Sequence, residues 1–197
     1  MKKLFVAIRR KDNKLTRELV SRNPSLVNCQ AKQPPKKDDG QSPLQVAFKT
    51  RNFEIANFLI DNGADVNFIE HSTVNEWHAP VIHNAIMATV LSSRFLGITG
   101  VQNSKEMFET AFSSLSKLVQ TGADVNSVDS YGNTCVMRAA MDARSLPLKD
   151  ASPELVEDLS KVFTLLKDSG ANFRASTARR KSVMEQYKNE PVTQFFL

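Results

Sequence analysis

The side chains best suited to chemistry fall in one stretch: His71, His78 and His83, with Glu70 and Glu76 among them. Histidine and carboxylate are ordinary zinc ligands, but His71 and His78 have no third ligand at a recognisable metal-binding spacing. Cys29 and Cys135 are far apart and neither belongs to a C-x-x-C pair, which argues for free thiols in a reducing compartment. No phosphate-cradling G-x-x-x-x-G-K-[ST], dinucleotide G-x-G-x-x-G, nucleophile-elbow G-x-S-x-G or zinc-binding H-E-x-x-H occurs. The expectation is a protein that is not an enzyme and has no metal or cofactor. That leaves binding chemistry, for which Trp77, the sole tryptophan, is the most conspicuous residue.

At 197 residues, 41% hydrophobic and 24% charged, the chain suits one domain with a continuous core. The apolar opening Leu4–Ile8 stops at Arg9-Arg10-Lys11-Asp12, too short for a secretory signal. No run approaches the length of a transmembrane helix, so a cytoplasmic protein is expected. Residues 1–40 carry eleven Lys/Arg against four Asp/Glu, a net of +7, which leaves −2 for the remainder of a total of +5. Such a basic end can steer an acidic protein, an anionic membrane or nucleic acid.

The elements that would position these residues repeat. Gly63-Ala64-Asp65-Val66-Asn67 returns at Gly122-Ala123-Asp124-Val125-Asn126 and, altered, at Gly170-Ala171-Asn172-Phe173-Arg174. Each copy follows an amphipathic helical run (53–61, 108–120, 155–167) and places glycine where a helix ends in a left-handed residue. Residues 4–10 and 15–22 read as two shorter helices broken at Asp12-Asn13 and closed by Asn23–Asn28. The next unit opens Asp39-Gly40-Gln41-Ser42-Pro43-Leu44-Gln45-Val46-Ala47: a turn, a serine cap, and proline at the first helical position. It predicts an inner helix over 43–50 and an outer one over 53–62.

These residues resemble the ankyrin-repeat signature D-G-x-T-P-L-H-x-A, with Ser42 for threonine and Gln45 for histidine. Pro80-Val81-Ile82-His83-Asn84-Ala85 and Asp129–Ala139 resemble it less closely, with Cys135 in place of proline and Met137 of histidine; Lys181–Tyr187 keeps only the register. The resemblance implies an all-α solenoid of helix-turn-helix units with β-turn fingers, at about 33 residues per unit. It divides the single domain 1–197 into repeats at 2–28, 39–67, 79–126 and 129–174 and a terminal cap at 177–197, closed by a short helix from Pro191 that buries Phe195 and Phe196. In this frame His83 occupies the motif's own histidine position, where it bonds a neighbouring turn.

Spacing locates insertions. From Asn28 to Ser42 is 14 residues and from Asn67 to Pro80 is 13, against 8 from Asn126 to Thr134 and from Arg174 to Ser182. The first two fingers are therefore long. The third repeat carries its surplus in Leu91–Ser104, as extra turns of the inner helix and a loop at Gly97 and Gly100; the fourth carries it in Arg144–Ser152. The apolar insert Arg94–Val101 is expected to pack on Leu146 and Leu148, or else to serve for docking. Trp77 in the second long finger is either an interface anchor or a clasp on Phe68, Ile69 or Val81.

The resemblance implies a non-catalytic protein-binding module. A concave face would be made of Gln45, Lys49, Asn84, Met87, Arg138 and Met141 on the inner helices and Phe68, Glu70, Trp77, Asp129 and Tyr131 on the fingers. Its partner, for a chain acting as a monomer, would be a protein, acidic if it meets the basic end, with no small-molecule substrate. An immunity-type inhibitor covering a toxin is one form, a regulatory binder another. The alternative is nucleic-acid or anionic-membrane binding through the first repeat, against which stands the lack of Tyr or Trp before residue 77. Self-association through Phe195, Phe196 and Leu197 is a third possibility.

Overall fold

A computed structural model describes residues 1–95 and 102–196. Its helices are α1 (Lys2–Arg9), α2 (Asn13–Arg22), α3 (Pro43–Lys49), α4 (Phe53–Asp61), α5 (Val81–Val90), α6 (Lys105–Gln120), α7 (Cys135–Ala143), α8 (Pro153–Asp168) and α9 (Val183–Gln186). Helices α1, α3, α5, α7 and α9 stack in sequence as an inner layer; α2, α4, α6 and α8 form an outer layer behind them. The described residues contain no strand; isolated bridges pair Ile69 with Pro80 and Val128 with Thr134 at the bases of two fingers. The chain is thus an all-α solenoid.

The caps explain where the helices begin. Asp12, Ser42, Asn52, Ser104, Thr134, Ser152 and Ser182 each accept a hydrogen bond from the backbone N–H three residues on. Pro80 has no side chain to do so, and Val81 still starts α5. Between the layers one apolar core runs the length of the stack, with Leu4, Phe48, Leu59, Ile86, Phe108, Leu115 and Phe163 fully buried. At its end Phe195 stacks on Phe163 at 5.5 Å and Phe196 packs at 5.7 Å; Phe196 is buried and Phe195 half-buried, so the expected closing helix covers the core. Leu197 lies outside the described residues.

The extra residues 144–152 lie where expected, between α7 and α8, whereas α5 ends at Val90, so the surplus over 91–104 falls between α5 and α6 and not in turns of the inner helix. The outer helices are longer as well: α6 and α8 have 16 residues each, against 9 in α4. Arg94 reaches α8, where its backbone N–H (2.8 Å) and guanidinium (2.6 Å) bond the fully buried carboxylate of Asp158. The Leu146–Leu148 segment packs near Pro191 of the terminal cap. The stretch Leu96–Val101, with Gly97 and Gly100, lies outside the described residues.

A polar ladder ties the units together. The Asn28 side chain donates to Gly63 O (2.9 Å) and accepts from Asp65 N (2.8 Å). Asn67 does the same to Gly122 O and Asp124 N, and Asn126 to Gly170 O and Asn172 N. Each repeat's closing asparagine thereby reads the helix end of the next.

Candidate functional site

The fingers sit where the inner helices begin, and their spacing is set by backbone chemistry. In the first finger Ala31 N donates to Gln41 O and Gly40 N to Ala31 O. Gly40 adopts φ +77°, and a Cβ there would lie 2.3 Å from His71 C and Ser72 N. Only glycine admits the second finger this close, and His71 N donates to Gly40 O at 3.1 Å. Beside it the buried Asp39 carboxylate accepts from Thr73 N (3.0 Å), Ser72 Oγ (3.1 Å) and Thr73 Oγ1 (3.2 Å). These donors, the Thr73 N–H foremost, hold its pKa below the usual value. Asn75 Nδ2 donates to Lys36 O (3.0 Å) and closes the first finger on the second.

The second and third fingers are joined as tightly. Trp77 Nε1 donates to Asp129 Oδ2 at 2.8 Å, His78 N to Ser130 Oγ, and Ser130 N to His78 O. Asp129 also accepts from the backbone N–H groups of Tyr131 and Asn133 and from Asn133 Nδ2. Burial is the largest single influence on Asp129 and pushes its pKa up, yet these donors and nearby His83 together hold it below the usual value. Trp77 is thus a clasp, though to the next finger rather than to its own.

Below the fingers, corresponding side chains of two inner helices bond the carbonyls of the neighbouring finger. Gln45 Nε2 donates to Ala79 O (2.7 Å), and His83 Nε2 to Ser127 O (3.3 Å), which requires the proton on Nε2. His83 Nδ1 faces Asp129 Oδ2 at 3.9 Å without a hydrogen-bond partner. Burial pushes the His83 pKa down strongly, against the pull of Asp129. His78 Nε2 lies 3.0 Å from Asn75 O, and His71 meets the Phe68 ring edge-on at 5.6 Å. Among the described residues no three His, Cys, Asp or Glu are grouped to hold a metal. Burial pushes the Cys135 thiol up to about 12 and also raises Cys29, the wrong direction for nucleophiles.

Four residues expected on the contact surface are corrected to the interior. Gln45 and Asn84 are fully buried, Glu70 is 2% and Asp129 4% exposed. Gln45 and Asp129 are occupied by the bonds between fingers. Glu70 accepts from Gln41 Nε2 (2.9 Å), and burial pushes its pKa up. Asn84 lies on α5, covered by α3 and α7 on either side, and its amide has no partner among the described residues. The others reach the surface at least in part. Lys49, Met87 and Met141 occupy one register, each seven residues after the caps Ser42, Pro80 and Thr134, and are partly exposed. Arg138 is partly exposed and bonds Asp142, Nε to Oδ2 at 2.8 Å. Phe68 and Trp77 are half-buried, and Tyr131 is 41% exposed.

Lys36 and Lys37, which follow Pro34-Pro35 in the long first finger and belong to the basic end that could meet an acidic partner, lie beside this face. With Lys49 they bound an open groove of about 560 Å³ whose far side carries Trp77 and Tyr131 and which Glu70 also lines. The arrangement offers recognition by shape and charge; nothing in it prepares a nucleophile.

The family model described as Ankyrin repeat matches residues 39–70, the unit that runs from the Asp39-Gly40 turn to the base of the second finger. No curated protein matches the chain.

Proposed function

The chain is an ankyrin-repeat protein, and from that premise we propose that it is a non-catalytic module that binds a protein partner through its fingers and inner helices. Ankyrin repeats generally mediate protein–protein interaction. The observation that carries the reading is the register of Lys49, Met87 and Met141, which repeats on three successive inner helices beside fingers already fixed by hydrogen bonds. A face set before its partner arrives loses little conformational freedom on binding. Covering a toxin as an immunity-type inhibitor and restraining another protein as a regulator are two forms of this one activity.

The nucleic-acid or membrane alternative rests on the basic first forty residues. Part of that charge is used within the protein: Arg9 bonds the buried Asp38, and Arg17 pairs with Glu54 at 3.0 Å and lies over the Phe58 ring. No described helix is long and apolar enough to cross a membrane.

The test is affinity capture followed by purified binding. Met87→Glu combined with Met141→Glu is expected to weaken the partner at least about tenfold while circular dichroism stays helical. Unchanged affinity would remove this face from the reading. Arg138→Glu is a poorer probe, because it sets a second carboxylate beside the largely buried Asp142, whose pKa burial already raises.

A further inference from the structure

We propose that the groove between the first and third fingers takes an acidic segment of the protein partner. Its carboxylates would meet Lys36 and Lys37, and a neighbouring apolar residue would lie against Trp77 and Tyr131. The inference rests on the reading of the finger face as protein-binding and adds the chemistry of what is bound.

Three observations point to it. The groove is built in advance: Asn75 to Lys36 O fixes one wall, and Trp77 to Asp129 fixes the other. The Trp77 indole is held by its hydrogen bond and Tyr131 is exposed beside it, so both rings offer area at small entropic cost.

The charges are also divided by depth. Lys49 is committed below the rim, donating to Lys37 O (2.8 Å) and Gln41 Oε1 (2.9 Å), and Gln41 in turn donates to Glu70. Lys36 and Lys37 stand exposed above it, and neither ammonium is in an ion pair among the described residues. They are the charges left for an incoming anion.

Finally, the groove disfavours a continuous polyanion. Glu76 is exposed on the same lining and Glu70 lies at its floor, so a nucleic acid, which repeats its charge at every step, would meet repulsion along the groove. A peptide can place carboxylates at the lysines and an uncharged residue at the rings. A volume near 560 Å³ lies in the range of sites that enclose a few side chains.

The experiment uses the full chain and a short fluorescein-labelled peptide rich in glutamate with a central leucine. Binding is read by anisotropy and by the emission of Trp77, the only tryptophan. Saturable binding is expected, about tenfold weaker for Lys36→Glu/Lys37→Glu and several-fold weaker for Tyr131→Ala, and lost when glutamines replace the glutamates. Equal binding by the charge-reversed variant, or no response from Trp77, overturns the proposal. So does tighter binding of single-stranded DNA through the same lysines with a steep salt dependence. If a captured partner is lost with Met87→Glu but indifferent to Lys36→Glu/Lys37→Glu, the groove falls and the protein-binding reading stands. Indifference to both sets overturns both.

Discussion

The two long edges of the solenoid are both enlarged, and they are held by different forces. The finger edge is laced by short neutral and charge-assisted hydrogen bonds, many to backbone, that run from each finger to the next: Gly40 to His71, Asp39 to Thr73, Trp77 to Asp129, Gln45 to Ala79. The opposite edge relies on long outer helices joined by the ion pair of Lys161 with Glu109, on Arg94, which reaches from the segment after α5 to Asp158 of α8, and on Arg144 with Glu190 at the cap. Hydrogen bonds to backbone fix position closely; of these ion pairs only Arg94 with Asp158 is buried, while the other two are partly exposed, tolerate movement and weaken with salt. The finger edge is accordingly the more closely positioned of the two, as the proposed binding surface requires, and the other edge holds the outer layer together.

That contrast can be broken at its tightest point first. Gly40→Ala forces a left-handed residue against the His71–Ser72 backbone and is expected to cost about 3 kcal/mol or more in urea unfolding. Gly63→Ala has a similar φ of +82° with nothing within 4 Å of the new Cβ, and should cost only about 1 kcal/mol. Equal losses would mean that close approach of the fingers does not matter. On the other edge, Asp158→Ala removes the buried partner of Arg94 and should lower stability by about 2–3 kcal/mol. It should leave binding at the fingers unchanged by titration; a loss of affinity would show that the edges are coupled.

A pH series sharpens the finger side. His83 falls from its ordinary 6.5 to about 4 on folding, so between those values the unfolded chain binds the proton that the folded chain refuses. Its contribution to stability is present above about 6.5 and is lost, at about 1.4 kcal/mol per pH unit, as pH drops toward 4. Glu70 and Asp142, whose pKa values are raised, oppose this at the acid end. His83→Gln copies the Gln45 arrangement with a group that does not titrate, and should flatten the slope of the urea midpoint against pH. A small effect, comparable with that of Gly63→Ala, is expected in urea unfolding at the ladder: Asn67→Ala forfeits two exposed hydrogen bonds and about 1 kcal/mol.

Much of the scaffold was legible because it is local. Gly63 and Gly122 mark helix ends, and Ser42-Pro43 and Thr134 mark helix starts, through chemistry within four residues. The residues misplaced at the surface depend on partners far along the chain. Asp129 is buried by Trp77, 52 residues away, and Gln45 by Ala79, 34 away. No local pattern distinguishes such a polar residue from one left for a partner. The recurrence of Asn28, Asn67 and Asn126 was visible and did carry a signal for the ladder, since a side chain kept at the same step of every unit answers the same neighbour. The longer outer helices were legible as the runs 108–120 and 155–167, with Pro153 marking the start of α8; what was missed is the first turn of α6, where Lys105 and Glu106 extend the helix without extending its apolar stripe.

The ladder has one more property, which concerns where its rungs give way to another kind of contact. An asparagine can answer both a carbonyl and an N–H, so each rung accepts the next unit as readily as the last. At the fourth repeat the position is taken by Arg174, whose guanidinium only donates and whose charge stays in water. The unit that follows, α9 and the short helix from Pro191, finds no asparagine rung there and is held by ring packing instead, Phe195 and Phe196 against Phe163. One substitution in a recurring step thus marks where the means of attachment changes from polar to apolar.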